Sequence, residues 1–225
     1  MRGDHLEHAW GASSVSSSKK VKAIKAQPKV WVTVLAPKYF GFAELGRTMT
    51  SSPEKIIKRT IWTTLYNITN DFSQQHIKLC FQIVKVEGDK AYTIFKGHEL
   101  ARDYVRSLVR RGSSRVDSIF DVETKDGYRL RIFMLGVTVK RAKTSQKSAI
   151  RKIMREVVEE RASQLNFEDF VQELVLGKIS SDAYNRAKKI YPLRKVEAMK
   201  SKLLQVPPES EESKALYPSA QQPNV

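Results

Sequence analysis

Phe120-Asp121-Val122-Glu123-Thr124-Lys125-Asp126-Gly127-Tyr128-Arg129-Leu130-Arg131-Ile132 is the stretch from which the fold can be read. Apolar Phe120, Val122, Leu130 and Ile132 alternate with charged residues on either side of Lys125-Asp126-Gly127. A three-residue loop with glycine at the bulge position makes this a β-hairpin pairing Val122 with Leu130 and Phe120 with Ile132. The same register sets Glu123 opposite Arg129 and Asp121 opposite Arg131. Asp117, Asp121 and Glu123 share one strand face and could be read as a magnesium-binding nuclease site. Two of the three face arginines across the ladder, so ion pairs are the reading adopted.

Upstream of the hairpin lies Ala101–Asp117. Leu100, Tyr104, Val105, Leu108 and Val109 recur at helical spacing. Arg102, Arg106 and Arg110 stand four apart and line a second face of the same helix. Gly112 takes the left-handed position at its end, flanked by Arg111 and Arg115. The pattern predicts a helix over 100–112 with one apolar face and one ladder of guanidinium groups, whose fork of donors fits phosphate oxygens.

Downstream, Lys140, Arg141 and Lys143 form a basic loop that opens a long helix. Ile150, Ile153, Met154, Val157 and Val158 make its apolar stripe. Lys147, Arg151 and Arg155 run beside the stripe as a second basic ladder, with Lys152 further round. Phe167–Leu176 reads as an acidic helix capped by Asn166 and closed by Gly177. A further helix starts near Ser181 and stops before Pro192, and Lys188, Lys189, Arg194, Lys195, Lys200 and Lys202 surround that break.

Towards the N-terminus, Val30–Leu35, Thr60–Tyr66, His76–Val86 and Ala91–Lys96 read as strands, with Glu87-Gly88-Asp89 turning the last two into a hairpin. Ser52-Pro53-Glu54 starts a brief helix. Residues 1–29 read as a flexible basic tail carrying Lys19, Lys20, Lys22 and Lys25. Residues 207–225, rich in Pro, Ser and Gln, read as a disordered tail. Between them, 30–206 reads as one domain, mainly strands over 30–99 and 115–139 and mainly helices over 100–112 and 145–204. The fold class expected is α+β: a mostly antiparallel sheet or barrel with helices, largely C-terminal, against it.

The 225 residues hold 40 Lys and Arg against 24 Asp and Glu, a formal charge of +16. Residues 100–155 concentrate the excess, with fifteen basic against five acidic, whereas 156–177 hold one basic against six. A field of that size favours a polyanion. Cys80 is the only cysteine, which excludes an intrachain disulfide and a cysteine-built zinc site. No apolar run reaches membrane-spanning length, and Met1–Lys20 lacks the apolar core of a signal peptide, so a soluble intracellular protein without membrane partners is expected.

There is no phosphate-cradling glycine loop, no dinucleotide fingerprint and no nucleophile elbow. His98, in Lys96-Gly97-His98-Glu99-Leu100, could serve as a base, but a hydrogen-bonded turn histidine is the simpler reading. Neither a catalytic site, a metal, a cofactor nor a small-molecule substrate is expected. What the residues support is phosphate binding, a salt-sensitive affinity to which each neutralising cation adds.

Several strings also resemble a known family: Phe95-Lys96-Gly97-His98-Glu99-Leu100, Arg106-Ser107-Leu108-Val109-Arg110-Arg111, Thr124-Lys125-Asp126-Gly127-Tyr128 and Lys188-Lys189-Ile190-Tyr191-Pro192-Leu193-Arg194. They are similar to the small-subunit ribosomal protein S-three-A-e family, and Ser145-Gln146-Lys147 with Ala149-Ile150-Arg151-Lys152-Ile153 resembles its archaeal branch. The resemblance runs from Val30 to Leu204. It implies a non-enzymatic, cytoplasmic constituent of the small ribosomal subunit, with a β-barrel-like core and added helices. It further implies a place on the platform beside the messenger exit, near the 3′ region of small-subunit rRNA and neighbouring ribosomal proteins, with messenger as a further partner. The competing readings are a free RNA chaperone or regulator using the same cations, and the nuclease already set aside.

Overall fold

A computed structural model describes residues 29–207; Lys19, Lys20, Lys22, Lys25 and both expected tails lie outside the described residues, save Lys29 and Pro207 at their inner ends. The hairpin forms in the expected register. Strand β6 (Arg115–Glu123) pairs with β7 (Arg129–Thr138), Phe120 opposite Ile132, Asp121 opposite Arg131 and Val122 opposite Leu130. Thr124 N–H donates to Tyr128 O at 3.0 Å and Gly127 N–H to Thr124 O at 2.9 Å. Gly127 has φ +78°, the left-handed conformation that the bulge requires.

The other strands are β1 (Val30–Leu35), β2 (Glu44–Thr50), β3 (Thr60–Thr64), β4 (Ile77–Glu87), β5 (Lys90–Leu100) and β8 (Leu193–Gln205). They build one eight-stranded sheet in the order β2-β1-β5-β8-β7-β6, with β4 pairing β5 and β3 pairing β4. The α+β class and the C-terminal weight of helices are as expected. The sheet is mixed and open rather than wholly antiparallel or closed: β1 runs parallel to β5 through Thr33–Leu35 and Lys90–Tyr92, while the other pairs are antiparallel. The long β5 takes β4 along one edge and shares its other edge between β1 and β8.

Among the described residues five α-helices accompany the sheet: α1 (Tyr66–Thr69), α2 (Arg102–Leu108), α3 (Thr144–Gln164), α4 (Phe167–Val175) and α5 (Lys178–Ala187). Ile150, Met154, Val157, Val158 and Ala162 of α3 are buried with Val116, Phe120, Leu130, Ile132 and Met134 of the β6–β7 hairpin. Each such Ile, Val or Met contributes roughly 1.5–3 kcal/mol on burial. This packing covers one face of the hairpin and leaves the other open. One local bond and one long-range bond place the helices. The Gln146 side-chain oxygen accepts from Lys143 N–H at 2.9 Å at the start of α3, and an Asp126 carboxylate oxygen in the hairpin loop accepts from Phe167 N–H at 3.0 Å at the start of α4.

Three expectations need correction. The arginine helix is α2 alone, seven residues long. Leu100 belongs to β5, Val109 is extended, and Arg110, Arg111 and Gly112 lie in a turn. Ser113 is the cause: its hydroxyl donates to Arg110 O at 2.6 Å and accepts from Arg110 N–H at 3.3 Å. A serine that satisfies nearby backbone groups this way competes with helix continuation. The helical reading of 145–204 fails over its last part, where Leu193–Gln205 forms a thirteen-residue strand between β5 and β7. The strand read over Thr60–Tyr66 ends at Thr64, and Tyr66 begins α1.

Candidate nucleic-acid interface

The open face of the sheet follows from strand alternation and register. One row across the strands reads Trp62, Cys80, Gly97, Lys202, Arg131 and Asp121; the next reads Thr64, Lys78, Glu99, Lys200, Phe133 and Ile119. Lys78, Lys202 and Arg131 are exposed along these rows, and Lys200 is half-buried. Two cations are compensated: Arg131 holds Asp121 by two bonds of 2.7 and 2.9 Å, and Lys200 reaches Glu99 at 3.2 Å. The Arg131 guanidinium keeps the Asp121 carboxyl below its ordinary range, so it stays ionised and paired. Burial, and then the nearby Lys202 ammonium, lower the Lys96 pKa from its usual value. Lys78 and Lys96 are candidate cations that the sequence reading left out, whereas Lys200 and Lys202 were read as part of the basic cluster around Pro192 and not as strand residues. Lys200 and Lys202 alternate, a strand signal hidden because β8 is bulged and buries Ser201 among its apolar residues.

Helix α2 packs at one end of this face through buried Val105. Arg102 and Arg106, one turn apart, remain exposed beside it, and Arg110 and Arg111 continue beyond the helix. Arg115 on β6 is partly engaged, to Asp117 at 2.8 Å and to the Met199 sulfur at 3.7 Å.

A basic rim forms where three loops meet. Ser114 N–H donates to the Thr138 hydroxyl at 2.8 Å, that hydroxyl donates to Lys140 O at 2.6 Å, and Ala142 N–H donates to the Ser114 hydroxyl at 3.1 Å. Val139 N–H bonds Pro192 O at 3.1 Å, and Tyr191 OH donates to Arg141 O at 3.0 Å. Ser114 and Thr138 are buried, so these bonds hold the loops firmly. Arg110, Arg111, Lys140, Arg141 and Lys143 are thereby gathered at one end of the sheet, and none forms an ion pair among the described residues.

The α3 ladder lies against the β6 edge. Arg151 Nε donates to Asp117 O at 2.9 Å, so Arg151 and Arg115 meet at the same residue from helix and strand. Arg155 pairs with Glu159 at 3.6 Å on its own helix, while Lys147 and Lys152 form no ion pair among the described residues. Lys188 and Lys189 are exposed after α5, with the Lys188 ammonium 5.8 Å from the centre of the Tyr184 ring. Arg194 is exposed. Lys195 stands apart from the rest: it bonds Glu197 at 2.8 Å and the Tyr104 hydroxyl, and sits over the Tyr104 ring. Burial lowers its pKa, but the bonds to Glu197 and Tyr104 outweigh burial and raise it, so the exposed ammonium stays charged and engaged by these two partners.

The opposite side of the helical layer is balanced. Arg186 pairs with Glu160 and Arg161 with Asp182, each at 2.6 Å, and Lys178 lies 3.8 Å from Glu173. Within the helical layer, compensated cations therefore sit on this side of α3–α5, whereas the rim, α2 and Lys147 and Lys152 in the first half of α3 form no ion pair among the described residues.

The reactive residue types are used structurally. His98 lies buried within β5 rather than in a turn. Its Nε2 is 2.9 Å from Ala198 O, which can only accept, so Nε2 carries the proton. Its Nδ1 then accepts from the Ser201 hydroxyl at 2.6 Å. Burial lowers its pKa, so the neutral ring persists. Burial raises the pKa of the Cys80 thiol, which disfavours a nucleophilic thiolate. Asp117 and Asp121 are tied to arginines, and the described residues contain no cluster of three potential metal ligands.

An α+β scaffold with uncompensated cations on ordered loops and with His98, Cys80, Asp117 and Asp121 in structural roles has the character of a nucleic-acid-binding structural protein. Residues 17–207 match the model of the ribosomal S3Ae family. The chain is 52% identical over 192 residues to a protein of Desulfurococcus amylolyticus named small ribosomal subunit protein eS1, covering 85% of this chain and 90% of that one. Proteins of the same name from Sulfurisphaera tokodaii, 50% identical over 85% of this chain and 99% of theirs, and from Archaeoglobus fulgidus, 51% identical over 84% and 90%, are similarly close. The chain belongs to the ribosomal S3Ae family, in its archaeal form, a family of ribosomal structural proteins rather than enzymes.

Proposed function

We propose that this chain is a cytoplasmic structural constituent of the small ribosomal subunit that holds folded rRNA by its phosphates. The observation that carries the reading is the rim: Arg110, Arg111, Lys140, Arg141 and Lys143 are collected from separate loops by the Ser114–Thr138 bonds, with no carboxylate partner among the described residues. Like charges gathered at one place repel, and a polyanion relieves that repulsion. Arg102 and Arg106 of α2 and Lys147, Arg151 and Lys152 of α3 extend the surface, with Lys188, Lys189 and Arg194 at its margin. Lys19, Lys20, Lys22 and Lys25 of the N-terminal segment would add phosphate contacts of their own. The balanced α3–α5 side suits neighbouring ribosomal proteins. The family resemblance supports a position on the platform, near the messenger exit and the 3′ region of the rRNA, with 30–206 as the folded unit.

Sedimentation of extract containing the tagged chain tests the reading. The chain should travel with small subunits at physiological salt and be released as salt is raised. Recovery solely in ribosome-free fractions would overturn it, and an active pool that persists when subunit assembly is blocked would favour the free chaperone.

A further inference from the structure

Trp62 is the residue the phosphate reading does not use. It lies on β3, 56% exposed, and no part of the hydrophobic core needs it. It lines a groove of about 530 Å³ between the β3–β4 ladder and α2, a size typical of small-ligand sites. Lys78 stands diagonally from Trp62 across that ladder, because Thr64 pairs with Lys78 and Trp62 with Cys80. Arg102 and Arg106 line the groove from the helix side. Two carboxylates also line it. Glu99 is held by Lys200 at 3.2 Å, and Asp103 lies in the first turn of α2, where the helix dipole stabilises it. Lys78, Arg102 and Arg106 form no ion pair among the described residues, so the groove presents an exposed aromatic ring with three available cations around it.

A phosphate array alone does not call for the ring. An indole beside lysine and arginine suits a nucleotide whose base is free to stack, because each base offers a π-face and each nucleotide a phosphate. A duplex keeps its bases inside and cannot use the indole. We infer that this groove holds an unpaired nucleotide of RNA, its base stacked on Trp62 and its phosphates between Lys78, Arg102 and Arg106. The inference rests on the RNA-binding reading above and specifies which form of RNA this end of the surface takes.

The test uses the full chain carrying Trp10→Phe and Trp31→Phe, which leaves Trp62 as the sole tryptophan. Single-stranded oligouridylate of about eight nucleotides should quench its fluorescence, whereas a blunt RNA duplex of equal length should not. In the otherwise unaltered chain, Trp62→Ala should weaken single-strand binding by about five- to a hundredfold, leave duplex binding unchanged and preserve the circular dichroism. Trp62→Phe should keep most of the affinity. Unchanged single-strand affinity in Trp62→Ala, or equal quenching by duplex, would overturn the stacking inference while salt-sensitive rRNA binding left the broader reading intact. Quenching by polyglutamate as strong as by oligouridylate would assign the groove to an acidic peptide and also overturn it. Absence of any RNA binding by the unaltered chain would remove both readings together.

Discussion

Neutralising Arg110 and Arg111 to glutamine should lower both the affinity for small-subunit rRNA and its dependence on salt. The two side chains are exposed, lie in the turn after α2 and form no ion pair among the described residues, so their removal costs the fold little. Each cation that neutralises a phosphate steepens the plot of log affinity against log salt by about 0.7 on single strands to 0.9 on duplex. Losing two contacts should therefore flatten the slope by about 1.4–1.8 and weaken binding about 15- to 30-fold near 0.15 M salt. Fluorescence anisotropy with a labelled rRNA fragment, repeated over a series of potassium chloride concentrations, measures both quantities. The matched control is Arg161→Gln with Arg186→Gln, which removes the same charge from residues already paired with Asp182 and Glu160 at 2.6 Å. That control should leave the slope unchanged. If both doubles flattened it equally, affinity would depend on net charge alone, and the placement of cations on the rim would explain nothing.

Three further outcomes follow from the packing. His98 is neutral in the fold with its pKa lowered from 6.5, so the unfolded chain binds the extra proton first as pH falls; stability should drop below pH 6.5 by up to about 1.4 kcal/mol per pH unit from this residue. Urea titrations from pH 7.5 to 5 should show a shallower dependence in His98→Gln, and an identical one would assign the effect elsewhere, beginning with His76, whose pKa burial also lowers. Gly97→Ala would place a Cβ 2.3 Å from Ser201 O, a backbone atom that can move only by parting β5 from β8; a loss of roughly 1–3 kcal/mol or more is expected, and a variant as stable as the parent would contradict this close approach. Asp126→Ala removes the acceptor for Phe167 N–H and should cost about 1 kcal/mol, read as a lowered unfolding midpoint at unchanged denaturant slope.

The hairpin was legible because its evidence is local. A period of two, a three-residue loop and one glycine define its register without reference to any other part of the chain. The apolar stripe of α3 was legible for the same reason, as was the pairing of Asp121 with Arg131 that removed the nuclease reading. The end of α2 was missed because the helical spacing of Arg102, Arg106 and Arg110 continues past the point where Ser113 captures the Arg110 backbone. Strand β8 was missed because its bulges break the alternation, and its central position depends on partners about a hundred residues away, as in the bonds between His98 and Ser201.

The charge excess of residues 100–155, the lack of any recognisable catalytic pattern and the α+β order of elements belong to the sequence itself. Which cations stand free is a tertiary matter. Arg161 and Arg186 look no different along the chain from Arg110 or Lys140, yet each meets a carboxylate from another helix in the fold, Asp182 and Glu160. The rim exists only because Ser114 and Thr138 join loops distant in sequence, and the Trp62 groove only because β3 and α2 come to lie side by side. Local periodicity is encoded by neighbours along the chain, whereas compensation of charge is settled by neighbours in space.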